Sequence, residues 1–169
     1  MVQELEQPEW RHMQARDIAR VTAVANVVHA DFFEDEAVFR DRFMLYPDGC
    51  FVLERGNEIL GYGVSYPWQL DTVPALNAVL GELPEDTNTY YIHDIALLPE
   101  ARSGGNATRV VELMAAQAET DGFATMSLVA VSGSQGFWEK KGFVARDLPQ
   151  LAGKLKTYSD GALYMVRAG

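Results

Sequence analysis

The sequence predicts an α/β fold built on a single mixed, mostly antiparallel central sheet flanked by helices. Three observations carry that prediction. β-Rich runs alternate with runs of helical period along the chain. A strand–helix–strand unit occupies the middle, where a parallel crossover belongs. Outside it, Arg55-Gly56-Asn57 has the length of a hairpin turn between two β-rich runs. The 169 residues, 48% of them hydrophobic, fit one domain over 1–169 with a core of its own.

In chain order, EWRHM after Pro8 reads as a short first strand. Ala15–Ala30 carries Ile18, Val21, Val24, Ala25 and Val28 at helical spacing. Phe32–Phe43 reads as a second helical segment with Ala37, Val38 and Phe43 inward, ended by Pro47-Asp48-Gly49. Phe51–Glu54 and Ile59–Tyr66 read as antiparallel neighbours. Pro67–Asn88 is a long connection with one short helix expected around Ala75–Leu80, and long loops in compact domains often wall a site. Thr89–Leu98 reads as a strand. The clearest helix follows, with Ala107, Val110, Val111, Met114, Ala115 and Ala118 on one face and Gly122 closing it. ATMSLVAV is a strand, GSQGFWEKKG a short helix opened by Ser134 and stopped by Gly142, and FVARDL and ALYMVR are the last strands.

The net charge of −10 opposes a nucleic-acid or anionic-membrane partner, which calls for clustered Lys and Arg. No apolar run approaches the roughly 20 residues of a membrane span. The lone Cys50 excludes an internal disulfide and MVQELEQPEWRHM lacks a signal-peptide layout, so a cytoplasmic location is expected. Nothing is rich enough in Cys or His to indicate a metal site.

PEARSGGNATR, Pro99–Arg109, joins a strand to a helix start. A helix N-terminus leaves N–H groups unpaired and partly positive, so a glycine-lined turn feeding it suits an anion such as phosphate. The segment lacks the Lys-Ser/Thr pair of nucleotide-hydrolysing loops and the G-x-G-x-x-G of dinucleotide-binding turns. IHDIALLPEARSGGNATRVVELM resembles the acetyl-CoA-binding motif of the GNAT superfamily of N-acetyltransferases, with Arg102, Gly105 and Ala107 at its motif positions. SGSQGFWEKKGF is similar to that superfamily's second cofactor element, and the element order matches a GNAT-like fold over nearly the whole chain.

The resemblance implies acetyl-CoA as acyl donor. Arg102, Ser103, Gly104, Gly105, Asn106, Ala107 and Thr108 would wrap its pyrophosphate; Ile95, Ala96 and Leu97 would pair with the pantetheine arm, and an N–H near Leu97 would polarise the acetyl carbonyl. Ser134, Phe137 and Trp138 would line the arm. The chain departs from the family pattern at Ser103, often Gly; at Asn106, usually aliphatic; at Ser132, commonly Asn; and at Trp138, where many relatives carry a tyrosine acid. An indole N–H is a hydrogen-bond donor but no practical acid.

Acyl transfer to an amine needs the neutral amine, and an amine of pKa about 10 is mostly protonated at pH 7. Strict alternation along the strand places Tyr91, His93, Ile95 and Leu97 on one face and Tyr90, Ile92, Asp94 and Ala96 on the other, so His93 and Asp94 point apart. The resemblance nominates His93 as a base; the alternative is a hydrogen-bonded strand histidine shaping the acceptor pocket. Asp94 reads as a backbone cap, an ammonium partner or a second candidate base. Tyr90, Tyr91, Tyr158 and Tyr164 are candidate acids that read more readily as core, Cys50 reads as a small hydrophobe, and His12 and His29 as surface or helix residues. Phe32, Phe33, Trp68 and nearby carboxylates suit a small-molecule or peptide primary amine on an apolar body. A homodimer is left open, and a non-catalytic acyl-CoA-binding module is the rival to an enzyme, with a longer acyl group a third reading.

Overall fold

A computed structural model describes residues 7–29, 34–131 and 133–168. Its strands are β1 (Glu9–His12), β2 (Cys50–Arg55), β3 (Glu58–Trp68), β4 (Thr89–Leu97), β5 (Thr125–Ala130), β6 (Val144–Ala145) and β7 (Leu163–Ala168). The helices are α1 (Ile18–Val28), α2 (Glu36–Leu45), α3 (Asn106–Thr120), α4 (Gln135–Lys140) and α5 (Ala152–Tyr158). The seven strands form one sheet in the order β1-β2-β3-β4-β5-β7-β6. Only β4 and β5 run parallel, joined through α3; every other neighbour is antiparallel.

The helices cover both faces because each has an apolar stripe to bury. α1 and α2 pack Val21, Ala25 and Phe39 against Tyr62, Val64, Tyr66 and Tyr91. α3 lays Val110, Val111 and Met114 on the opposite face against Ile92, Met126 and Leu128, and Trp138 of α4 joins them. α5 and the stretch after β3 close a third cluster through Val73, Leu151, Tyr158 and Tyr164. No helix among the described residues is long and apolar enough to cross a membrane.

Several sequence expectations are corrected. The inward face of α2 is Val38, Phe39 and Arg42, with Ala37 exposed. Arg42 is tolerated there because its guanidinium meets Asp41 at 2.6 Å and the Ala78 carbonyl at 2.8 Å. No helix forms at Ala75–Leu80. Its backbone groups go to tertiary partners instead: the Asn77 N–H donates to Glu34 at 3.0 Å, the Leu80 N–H to Asp41 at 2.9 Å, and Asn77 adopts the left-handed φ of 51°. The strand expected at FVARDL shrinks to Val144–Ala145, and α5 forms where no element was expected. Phe32 and Phe33 lie outside the described residues.

Two irregularities of β4 shape everything around it. Val64 pairs with Asp94 while Ser65 pairs with Ile92, so His93 is an extra residue opposite β3, a β-bulge. On the other side, β5 pairs only with Tyr90–Ile92, through Met126–Leu128. From His93 onward β4 and β5 part, leaving a wedge whose β4 wall is main chain without a strand partner.

Strand β3, which faces this bulge, packs on a tight turn. A Cβ at Gly49 would stand 2.2 Å from the Ser65 carbonyl oxygen. Gly49→Ala is therefore expected to cost about 2 kcal/mol or more of stability, read as a lowered urea midpoint.

Candidate active site

A cleft of about 670 Å³ fills the wedge. Its walls come from β4 (Ile92–Leu97), the end of β5, and Phe137 and Trp138 of α4; Val28, His29, Glu34, Leu76 and Tyr158 close the far end. Ile95, Ala96, Leu97, Arg102, Ala107, Ser134, Phe137 and Trp138 all line it. Ser103, Gly104, Gly105 and Thr108 stand on the turn and first turn of α3 without reaching the walls, and Asn106 is buried behind them. Ser132 lies outside the described residues.

The bulge overturns the alternation expected for β4. Tyr90, Ile92 and Ile95 pack toward α3, whereas Tyr91 and Ala96 pack toward α1 and α2. The parity changes at His93, so His93 and Asp94 turn to the same face and both line the cleft. Each meets a tyrosine of β3: Tyr66 OH lies 3.0 Å from His93 Nδ1, and Tyr62 OH donates to Asp94 Oδ2.

Each also meets a partner from the α1–α2 connection, in crossed fashion. His93 Nε2 is 2.6 Å from Glu34 Oε1, and His29 Nε2 is 2.9 Å from Asp94 Oδ1. The two pairs differ in burial. The His93 and Glu34 side chains are 2% and 7% exposed, against 27% and 17% for His29 and Asp94.

In the sealed pair, burial would push the Glu34 carboxyl up, but His93 and the Asn77 N–H hold it below the usual carboxylate range. An ionised Glu34 only accepts, so His93 Nε2 carries a proton, and Nδ1 lies within hydrogen-bond distance of the Tyr66 hydroxyl, whose pKa burial raises. Both ring nitrogens are occupied. In the open pair, the hydrogen bond to Asp94 raises the pKa of His29 against opposing burial, while burial and the adjacent Asp94 keep the Tyr62 phenol protonated. Asp94 thus receives a donor on each oxygen. No other hydrogen bond reaches the His29 ring among the described residues.

His29 escaped the sequence reading because its partner lies 65 residues away; it is the C-cap of α1, and the buried stripe of that helix brings it against β4. Tyr62 and Tyr66 were missed for the same reason. Among the tyrosines that were candidates, Tyr158 sits on α5 and donates to the Pro74 carbonyl, Tyr90 bonds Ser65 at 2.7 Å, and Tyr164 accepts the Asp71 N–H. Cys50 is in the core with its thiol pushed up to about 12 by burial. Trp68 packs on Tyr66 and does not line the cleft.

At the other end of the cleft, Gly104 and Gly105 take φ of 84° and 77°, the left-handed region that favours glycine, and a Cβ at Gly104 would meet nothing. Arg102 Nε ties the turn to the end of β4 through the Leu97 carbonyl at 3.1 Å. Asn106 Nδ2 donates to the carbonyls of Ala101 (2.9 Å) and Ser103 (3.3 Å), its Oδ1 accepts from Arg109, and Trp10 Nε1 donates to its backbone carbonyl at 2.9 Å. Ser134 occupies the N-cap of α4, yet its hydroxyl makes no capping bond.

A wedge between parting parallel strands, with an open glycine turn at a helix start and a stretch of β4 main chain that β5 does not pair, has the geometry that an extended, anion-bearing ligand would need. A model of the acetyltransferase (GNAT) family matches residues 2–143, and the chain belongs to that family. No curated protein sequence matches it. Among solved structures, the loading GNATL domain of CurA from Lyngbya majuscula is similar, with a TM-score of 0.80 at 16% identity over 96% of this chain and 98% of that one. Ard1 from Thermoplasma volcanium gives 0.72 at 17% identity, covering 95% and 97%. Naa50 of Arabidopsis thaliana, in complex with the bisubstrate analogue CoA-Ac-MVNAL, gives 0.69 at 10% identity, covering 96% and 99%. At such identities the likeness concerns the fold.

Two predictions follow from this geometry. A carboxyl held low in the folded state adds stability above its ordinary pKa of 4.5 and loses it as pH falls below that. Glu34→Gln should therefore flatten the acid limb of the stability curve below about pH 4.5 in denaturant titrations. Asn106→Leu strands two loop carbonyls, so a loss of about 1–3 kcal/mol is expected, with weaker acetyl-CoA binding by calorimetry.

Proposed function

We propose that the chain is an acetyl-CoA-dependent N-acetyltransferase that passes the acetyl group directly to a primary amine within a ternary complex. The observation that carries this reading is the His29–Asp94 pair at one end of a cleft whose other end, at Arg102 and Ala107, adjoins the glycine turn of α3. A donor laid along β4 would bring its reactive end to the carboxylate.

The residues fit acetyl-CoA. The main chain of Ile95–Leu97 faces the wedge without a β5 partner, as an added extended strand requires. The N–H groups of Ser103–Thr108, with Gly104 and Gly105 leaving room for close approach, suit the pyrophosphate. Ser134, Phe137 and Trp138 line the path of the arm, and an N–H near Leu97 is the candidate donor to the acetyl carbonyl.

At the acceptor end, Asp94 would draw an ammonium group while Val28, Leu76 and Tyr158 cover an apolar body. His93 serves this pocket as a wall, because Tyr66 and Glu34 occupy both of its nitrogens. A peptide amine is one candidate acceptor, by likeness to the fold of Naa50. Trp138, at the position of the usual acid, favours one rival: an acyl-CoA-binding module that performs no transfer.

Thiol release from acetyl-CoA, followed across a panel of arylalkylamines, polyamines and short peptides, separates the two. Turnover with any of them supports the enzyme; tight binding of acetyl-CoA without turnover on all of them supports the module. Gly105→Glu should abolish acetyl-CoA binding in calorimetry while cooperative unfolding persists, and retained affinity would remove the turn from the coenzyme site.

A further inference from the structure

The family position for a proton donor holds Trp138, so the departing sulfur needs its proton from elsewhere. Among the described residues, six titratable side chains line the cleft: His29, Glu34, His93, Asp94, Arg102 and Tyr158. Glu34 and His93 are sealed and spend their polar atoms on each other, Tyr66 and Asn77. Tyr158 gives its O–H to the Pro74 carbonyl, and burial pushes that phenol up to about 12. Arg102 holds the Leu97 carbonyl and stays charged at any working pH. Among the described residues, only His29, paired with Asp94, remains with both exposure and a side chain of the type that ordinarily titrates near neutrality.

The pair has a defined polarity. Asp94 receives the Tyr62 O–H on Oδ2 and the His29 Nε2–H on Oδ1, and among the described residues no group meets His29 Nδ1, whose lone pair can therefore serve a bound molecule. Asp94 orients this imidazole and stabilises its cation, the role a carboxylate plays behind a histidine base.

We propose that His29 is a catalytic residue that carries both proton transfers of the reaction, taking a proton from the acceptor amine and returning it to the sulfur. The proposal rests on the N-acetyltransferase reading above. The amine, drawn toward Asp94 as the ammonium, first loses its extra proton to solvent and stands in the cleft as the free base. Its nitrogen forms the C–N bond to the acetyl carbon and gives one N–H proton to His29 Nδ1. The C–S bond then breaks with its electron pair on sulfur, and His29 Nδ1 delivers the same proton there. Amide and thiol leave, and the imidazole is again neutral. Trp138 is then free to be a wall, packed on Phe137 and Phe143 at 4.9 and 5.4 Å between ring centres.

His29→Gln tests this, because glutamine keeps an N–H for Asp94 but has no nitrogen to titrate. With the best amine of the panel, kcat should fall about 100-fold or more while the affinity for acetyl-CoA, measured by calorimetry, stays within about twofold. The charged groups acting on His29 are Asp94 of β4 and Glu34, with Tyr62 of β3 on the far oxygen of Asp94, and the hydrogen bond that His29 gives to Asp94 raises its pKa above 6.5. Wild-type kcat/KM should rise with pH through that pKa, and the limb should vanish in His29→Gln. In His29→Ala, added imidazole should restore part of the rate. Independent of turnover, Asp94→Asn should lower the NMR titration midpoint of His29 in the free protein. A His29→Gln variant within threefold of wild type, or one that keeps the pH limb, overturns the role of His29 and leaves the acetyltransferase reading standing. A wild-type chain that binds acetyl-CoA but acetylates no amine of the panel overturns both.

Discussion

The extra residue at His93 is the constraint on which the rest of the site depends. A regular β4 would send His93 and Asp94 to opposite faces, one into the packing of α3 and one toward α1. The bulge turns both to the α1 face and coincides with the point where β5 stops pairing. One local insertion thus produces the titratable cluster and lies where the wedge beside it opens. Bulges are found beside active sites because they re-aim side chains and end pairing together.

The crossed pairs follow from that placement. Two neighbouring residues of one strand, a histidine and a carboxylate, are answered by a histidine and a carboxylate from the segment after α1. Burial separates their roles. The Glu34–His93 pair is costly to desolvate and stands because Tyr66 and Asn77 take up remaining hydrogen-bonding capacity. Such a fully satisfied group is rigid and poor at exchanging protons. The His29–Asp94 pair keeps contact with the cleft and, among the described residues, leaves one ring nitrogen without a partner, so it stays open to a bound molecule where the sealed pair does not.

What the sequence disclosed was whatever depends on local order. The period of Val110, Val111, Met114 and Ala118 marks α3, the Gly104-Gly105 turn marks its start, and the alternation of strands and helices marks a mixed sheet. The bulge was illegible because His93 satisfies the period-2 pattern as well as a paired residue does; only the register against β3 reveals it. His29 looks like any polar residue at a helix end until the packing of Val21 and Ala25 carries it to Asp94. α5 was missed because AGKLKTY is too short to show a period, and its stability comes from Leu151 and Tyr158 packing on Val73.

Asn106, a polar residue where the family pattern is aliphatic, shows how a departure is absorbed. A turn that presents N–H groups to an anion must keep its carbonyls from facing the same ligand. Here the Asn106 amide engages the carbonyls of Ala101 and Ser103, and Arg109 engages that of Gly104 at 2.8 Å. Three carbonyls of one short turn are satisfied from within the protein, two of them by a residue that is itself 3% exposed. An aliphatic side chain would hold the turn by packing; this chain holds it by polar contacts whose geometry is stricter. The turn therefore owes its shape to a hydrogen-bonded residue behind it and to the left-handed conformation of the glycines in front, which also leave the room.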